Sequence, residues 1–365
     1  MKIRVERDTL LPLLASMVSV ADRRPIQPIL SHLLVTAESD SLRCVATDLE
    51  IQLLAHIPAQ VEQAGSCAIP ARKLYDICRS LPESSTLDIL RDKERIALRC
   101  GSARFHLQSL PAEQFPESSN DDTLFSGQCS GTTLRDALSI AATAMAQNDA
   151  RFFLNGVLLE VAEHELRCVA TDGHRLARMT LPFAHAAELP SYQGILPRKA
   201  VLELGRLLDE QDIELRLGHN AIVLVNDRMQ FRCKLIDARY PDYRRVIPLG
   251  HPERAQVDRL ALKQALTQIN VLSSDKNPAC VLKFQTTSLS LRSRNEEQEE
   301  AEVEIPVQYG GAGLEIAFNS HYLADSTQIF TESEIAMQLK DNGSSVLFTP
   351  LKGDNPLYIV MPIRL

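Results

Sequence analysis

Leu42-Arg43-Cys44-Val45-Ala46-Thr47-Asp48 recurs unchanged as Leu166-Arg167-Cys168-Val169-Ala170-Thr171-Asp172, 124 residues later. Seven identical residues in one chain point to duplication, and weaker matches share nearly the same offset. Thr9-Leu10 returns as Thr133-Leu134, Leu110…Phe115-Pro116 as Leu235…Tyr240-Pro241, and Pro70-Ala71-Arg72-Lys73 as Pro197-Arg198-Lys199. Solenoid repeats are about 20–50 residues long, so units of this spacing are whole domains in tandem. A fainter third copy follows. Leu260–Leu272 falls where a third opening helix belongs, Phe318–Phe330 where a third second helix belongs, and Leu357–Arg364 closes the chain like Phe105–Pro111. Three units result, 1–120, 128–247 and 248–365, each of ordinary domain size. The polar stretches Pro116–Gly127 and Pro248–Asp258 read as linkers between them.

Within each unit the hydrophobic period predicts two amphipathic helices among short strands. Leu74, Ile77, Cys78 and Leu81 lie on one helical face, and Val201, Leu204, Gly205 and Leu208 repeat that stripe 127 residues on. The third copy, Leu323, Ser326, Thr327 and Phe330, keeps the ends of the stripe and loses its middle, which predicts looser packing. The opening helices carry Leu134, Leu138, Ala141 and Met145, then Leu262, Ala265, Leu266 and Ile269, with Pro12 placed in the first turn of the first. Strands are expected at 33–36, 41–46, 97–107, 157–161, 213–217, 221–225 and 231–236. Two helices against antiparallel sheets, three times over, make an α+β chain.

Composition excludes several classes. The first seven residues alternate charge with apolar side chains, so no secretory signal is expected. No uncharged stretch approaches the roughly 18 residues that span a bilayer. Eight cysteines without a Cys-x-x-Cys pair speak against zinc and for a reducing, cytoplasmic setting. The net charge of −8 argues against nucleic acid at first sight, but distribution outweighs the total. Arg72 and Arg79 sit seven residues apart, opposite the apolar stripe, and Lys199 and Arg206 repeat them; the third copy has His321 and Gln328. The balancing acid is concentrated at Glu296–Glu302.

The one enzyme-like cluster is Thr171-Asp172-Gly173-His174-Arg175, where acid, base and cation fall within four residues. The same turn in the first unit, Thr47-Asp48-Leu49-Glu50, lacks the Gly-His-Arg extension, so the Thr-Asp pair reads as structural and the extension as a binding surface. No P-loop, nucleophile elbow or His-Glu-x-x-His is present.

Taken together, Val5-Glu6-Arg7, Pro28-Ile29-Leu30, Ala46–Glu50, Ile69–Lys73, Asp76–Arg79, Thr171–Leu176, Tyr240–Val246 and the tail Val360-Met361-Pro362-Ile363-Arg364-Leu365 resemble the bacterial sliding-clamp family, the beta subunit of DNA polymerase III. The resemblance spans nearly the whole chain. It implies three clamp-fold domains per chain and a ring-shaped head-to-tail homodimer that encircles duplex DNA. The ring would be opened by a clamp loader and would tether the polymerase III alpha subunit and other polymerases or repair proteins, without catalysis, metal or cofactor. A partner-peptide groove is then expected at Leu154, Thr171, Gly173, His174, Arg175, Leu176, Pro241, Arg245, Val246, Asn319, Tyr322, Ser345, Val360, Met361, Pro362, Ile363 and Arg364, suited to a Gln-Leu-x-Leu-Phe type segment. DNA contacts are implied for Arg24, Arg72, Arg79, Asn148, Arg151, Phe152, Phe153, Lys199 and Arg206. The dimer seam would set Lys73, Arg104, Phe105 and Leu107 against Val271, Leu272, Glu297, Glu299, Glu300 and Glu302 of the other copy. Phe152 and Phe153 stand where relatives carry Tyr, Asn277 where an aromatic rim residue is usual, and Gly343 where a β-branched one is.

Two other readings compete. An enzyme built on Asp172 and His174 predicts loss of turnover in His174→Ala. A monomeric peptide adaptor predicts no self-association.

Overall fold

A computed structural model describes residues 1–22, 25–118, 122–185, 191–248, 250, 252–273 and 278–364. Arg24 and Asn277 lie outside them. Among the described residues six α-helices run α1 (Arg7–Val20), α2 (Ala71–Ser80), α3 (Gly131–Ala142), α4 (Arg198–Leu207), α5 (Arg259–Ile269) and α6 (Ser320–Ile329). A strand leads directly into the first helix of every repeat: Lys2–Glu6 into α1, Thr123–Ser130 into α3, Glu253–Asp258 into α5. Every strand pair is antiparallel, and with two helices per repeat the chain is three tandem α+β repeats of one fold.

By contacts the chain forms two compact units. The first is Met1–Thr132, Ala184–Ala186 and Leu202–Leu235; the second is Thr133–Phe183, Ala187–Val201 and Ile236–Leu365. The division runs through the middle repeat because its strands join two different sheets. In the first unit an eight-stranded sheet runs Thr123–Ser130, Asp212–Gly218, Ala221–Val225, Met229–Lys234, Ile51–Pro58, Ser41–Thr47, His32–Glu38, Gly65–Pro70. The first four strands are from the second repeat and the rest from the first. Beside it stands a five-stranded sheet ending in Arg95–Cys100 and Ala103–Gln108. In the second unit one sheet of twelve strands joins Arg175–Pro182 of the second repeat to Leu357–Val360 of the third.

The two joins are built alike. Met229–Lys234 lies along Ile51–Pro58 with Phe231 opposite Leu53, and Leu357–Val360 lies along Arg175–Pro182 with Tyr358 opposite Ala177. Phe231 and Tyr358 are fully buried, so each join is closed by an aromatic residue worth about 2–3 kcal/mol of apolar burial.

Several sequence expectations need correction. The run 97–107 is two strands, Arg95–Cys100 and Ala103–Gln108, separated by a turn in which Gly101 takes φ +55°. Strand Thr123–Ser130 begins inside the first expected linker and the second contains Glu253–Asp258, where only Ala255 and Val257 are buried, a two-residue alternation too short to stand out. Helix α1 starts at Arg7, so Pro12 lies in its second turn and leaves the Asp8 carbonyl without its helical donor. In α4 Gly205 faces solvent, and Glu203 is buried instead. Helix α6 is not loosely packed. Ser326 and Thr327 are buried with their hydroxyls bonded back to the Leu323 and Ala324 carbonyls at 2.6 and 2.7 Å, so two polar residues fill the stripe without an orphan donor.

Candidate functional site

Both copies of the heptapeptide end in a turn wired by the same four bonds. Thr47 Oγ1 donates to the Ile51 carbonyl at 2.7 Å and accepts from the Leu49 N–H, while Asp48 accepts from the Glu50 and Ile51 N–H groups. Thr171 Oγ1 donates to the Arg175 carbonyl at 2.6 Å and accepts from Gly173, while Asp172 accepts from His174 and Arg175. Thr-Asp is a backbone device at both places. The strand residue before it is equally structural: burial pushes the Cys44 thiol up to about 12, and it packs as a small hydrophobe.

The second turn adds a side-chain network. Arg175 donates to Asp172 at 3.0 Å, ion-pairs Asp325 of α6, reaches the Tyr358 hydroxyl at 3.4 Å and lies 4.3 Å over the Tyr322 ring. Burial works against its charge, but Tyr358, Asp172 and Asp325 outweigh it and raise its pKa. Gly173 has two reasons to be glycine. Its φ is +92°, and a Cβ would lie 3.2 Å from Arg151, whose guanidinium covers the turn and donates to the Asp172 carbonyl at 3.0 Å. Arg151 is itself held by Asp149, whose carboxyl it keeps down at about 2.

The C-terminal tail is stitched across this network. Val360 pairs with Arg175, the Met361 N–H donates to the His174 carbonyl at 2.8 Å, Pro362 bridges Phe318, and the Ile363 N–H reaches the Ala317 carbonyl. Leu154 and Leu176 share a buried cluster with Tyr240, Tyr243 and Ile359, and the Tyr240 hydroxyl accepts the Thr171 N–H at 3.0 Å. Val360 belongs to a neighbouring cluster against which Tyr322 packs. Asn319 caps α6 by accepting from His321 and Tyr322. Thr171, His174, Arg175, Leu176, Leu154, Tyr322 and Val360–Ile363 are therefore brought together. Pro241 and Arg245 are exposed on the segment after Tyr240, Val246 is half-buried there, and Arg245 pairs with Asp242. Ser345 is half-buried beside strand Val346–Pro350, Gly343 lies in an exposed turn, and Arg364 is exposed. Sequence reasoning missed Asp325 and Tyr358, which hold Arg175 from 150 and 183 residues away; no local pattern marks such partners.

Three family models match end to end: DNA polymerase III beta subunit, N-terminal domain at residues 1–119, central domain at 128–242 and C-terminal domain at 244–364. This chain belongs to the DNA polymerase III beta subunit family. The beta sliding clamps of Pseudomonas aeruginosa and Escherichia coli are each 38% identical to it, over 100% of both chains. The crystal structure of the P. aeruginosa subunit superposes with a TM-score of 0.96 at 37% identity, covering 100% of both chains. Sliding clamps are non-catalytic processivity factors of DNA replication, so the chain is not an enzyme, and the Asp172 carboxylate serves the backbone of its turn.

The remaining clamp residues fall on helices and edges. Arg72 and Arg79 flank the Tyr75 ring at 5.6 and 5.5 Å and share Asp76. Lys199 and Arg206 stand on α4, where Arg206 pairs with Glu203 at 3.2 Å. Sequence reasoning counted these bases and overlooked the acid between them. Asn148 takes φ +57°, and Phe152 is 55% exposed, edge-on to Phe153. Arg104, Phe105 and Leu107 lie on strand Ala103–Gln108 at the edge of the five-stranded sheet, and Lys73 is exposed on α2. Val271, 79% exposed, and Leu272 follow α5. Glu297 and Glu299 are exposed in the turn before strand Glu300–Tyr309, while Glu300 and Glu302 already answer Arg294 and Arg292.

Proposed function

We propose that this clamp closes as a head-to-tail homodimer around duplex DNA and holds polymerases through the groove at the C-terminal tail. The observation that carries the ring is the pair of strands left over by the two joins. Each join sets the last strand of one repeat against the strand after the Thr-Asp turn, or its counterpart, in the repeat before. Ala103–Gln108 is the first repeat's strand of the former kind, and Glu300–Tyr309 is the third repeat's strand of the latter kind. Neither has its join partner among the described residues: Ala103–Gln108 ends its sheet, and beyond Ser288–Arg294 only Val307–Tyr309 of the other strand is paired.

The two edges match. Ala103, Phe105 and Leu107 are half-buried and alternate with exposed Arg104 and His106, while Ala301, Val303 and Ile305 alternate with exposed Glu300, Glu302 and Glu304. Pairing them between copies puts apolar on apolar and base on acid, which fixes head-to-tail register. Lys73, Val271, Leu272, Glu297 and Glu299 flank the same seam. Two copies then close into a ring of six repeats.

DNA would meet Arg72, Arg79, Lys199, Arg206, Arg24 and the loop of Asn148, Arg151, Phe152 and Phe153. With acids on the same helices, phosphate attraction is weak and non-specific, which suits sliding, and retention comes from closure. The groove offers an apolar floor at Leu176 and Val360 with His174, Arg175 and Asn319 as polar anchors. It fits a short Gln-Leu-x-Leu-Phe type segment of the polymerase III alpha subunit, of other polymerases and repair proteins, or of the clamp loader. A P. aeruginosa clamp of the same fold has been crystallised with griselimycin bound, which supports a ligand site on such a chain.

Sedimentation equilibrium and retention on circular against linearised DNA, after loading by a clamp loader, test the ring. A dimer of twice 40.6 kDa that stays on circles and leaves cut ends is expected. A monomer at micromolar concentration, or equal loss from both DNAs, would overturn the ring and favour an adaptor.

A further inference from the structure

The first join has a cavity of its own. It measures about 310 Å³ and is lined by Thr47, Leu49, Glu50, Ile51, Gln52, Pro116, Glu117, Ser118, Arg232 and Lys234. Most of these lining positions duplicate positions of the tail groove. Thr47, Leu49, Glu50, Ile51 and Gln52 correspond to Thr171, Gly173, His174, Arg175 and Leu176, and Pro116 to Pro241. Lys234 lies three residues after Phe231, as Met361 lies three after Tyr358. The wall is held in place, because Gln52 donates to the Ser118 carbonyl at 3.2 Å and accepts its N–H at 2.8 Å.

The chemistry differs from that of the groove. His174, Leu176 and Met361 are replaced by Glu50, Gln52 and Lys234, so a leucine of the floor becomes an amide and two opposite charges join the wall. Leu49 is 42% exposed and takes φ +77°, a left-handed conformation that costs a leucine about 1–2 kcal/mol. Lys234 is satisfied by Glu50 at 3.3 Å, and Glu117 by Arg43. Arg232 is half-buried and has no ion-pair partner among the described residues. The pocket thus presents one unanswered guanidinium and one exposed aliphatic side chain, beside carboxylates at Glu50 and Glu117 whose charge Lys234 and Arg43 already answer.

We propose that this pocket is a second peptide site, for an acidic segment that places a carboxylate on Arg232 and an aliphatic side chain against Leu49. A lone Arg binds a carboxylate through paired N–H donors, and the charges at Glu50 and Lys234 exclude the Gln-Leu-x-Leu-Phe type of segment assigned to the groove. The two joins of one chain then select peptides of opposite character. The site stands on the cavity and does not depend on the groove binding anything.

The test is methyl NMR on the full-length protein, titrated with the tetrapeptide acetyl-Asp-Leu-Asp-Leu. The Leu49 and Ile51 methyl signals should move. Arg232→Gln should weaken binding at least tenfold, the usual worth of a charge-assisted contact. Glu50→Gln frees Lys234 and should tighten binding several-fold; at an exposed position it keeps the test alive if Arg232→Gln fails to fold. The Asn-for-Asp, amidated analogue should leave the signals still. Shifts at Leu176 and Val360 in place of Leu49, no shift at ~1 mM peptide, or a titration indifferent to both substitutions would each overturn the proposal.

Discussion

The turns at Thr47–Ile51 and Thr171–Arg175 share a heptapeptide and a hydrogen-bond pattern, yet they present different surfaces. In both, Thr and Asp side chains satisfy the backbone, and the third residue is left-handed, Leu49 at φ +77° and Gly173 at +92°. The first turn then continues into Ile51, buried and silent. The second continues into Arg175, which ties the turn to α6 and to Tyr358. Because the backbone is closed by two residues, the next three were free to diverge without unfolding the turn. Duplication kept the frame, and the surface diverged.

The largest effect should come from removing what the second copy gained. Arg175→Ala leaves Asp172 and Asp325 facing each other without their cation, and a loss of about 3–4 kcal/mol is expected, read as a drop in the denaturation midpoint. Asp325→Asn should cost less, since Asp172 still answers the guanidinium. A midpoint unmoved by Arg175→Ala would mean that the network is decorative.

Exchanging the third residue sharpens the comparison at smaller scale. Gly173→Leu forces a side chain into the left-handed region and against Arg151, for a cost of about 1–3 kcal/mol. Leu49→Gly relieves the corresponding strain and should stabilise the chain by roughly 0.5 kcal/mol, the strain relief exceeding the entropy that glycine loses. Equal and opposite melting shifts would show one turn energy in both places, and a destabilised Leu49→Gly would show that Leu49 earns its strain through contacts.

The smallest effect concerns the Arg151 brace over the second turn. Arg151 depresses the Asp149 pKa to about 2, against roughly 3.9 when unfolded. A depressed carboxylate stabilises above its unfolded pKa, so the contribution is full above about pH 4 and disappears as pH falls through 2. An NMR titration of Asp149 with a midpoint near 4 would remove the brace from the account.

How much of this could be read without coordinates depends on sequence distance. The heptapeptide, the helix stripes at Leu74 and Leu204 and the Thr-Asp turns are local patterns, and they led to the α+β repeat. Glu253–Asp258 was hidden because only Ala255 and Val257 turn inward, and Ser326 and Thr327 misled because their hydroxyls find carbonyls within their own helix. The site was half legible. His174 and Arg175 stood out beside the plainer first copy, but Asp325 and Tyr358 become their neighbours only through strand pairing across the chain. The acid between each pair of helix bases is legible in the sequence itself, Asp76 between Arg72 and Arg79 and Glu203 between Lys199 and Arg206.

The eight-stranded sheet draws four strands from each of two repeats. A chimera that exchanges one whole repeat between relatives would therefore break hydrogen bonds in the middle of a sheet, between Ile51–Pro58 and Met229–Lys234, rather than at a passive connector. Inheritance in this chain is modular in sequence and continuous in fabric: the unit that was copied is not the unit that can be cut out.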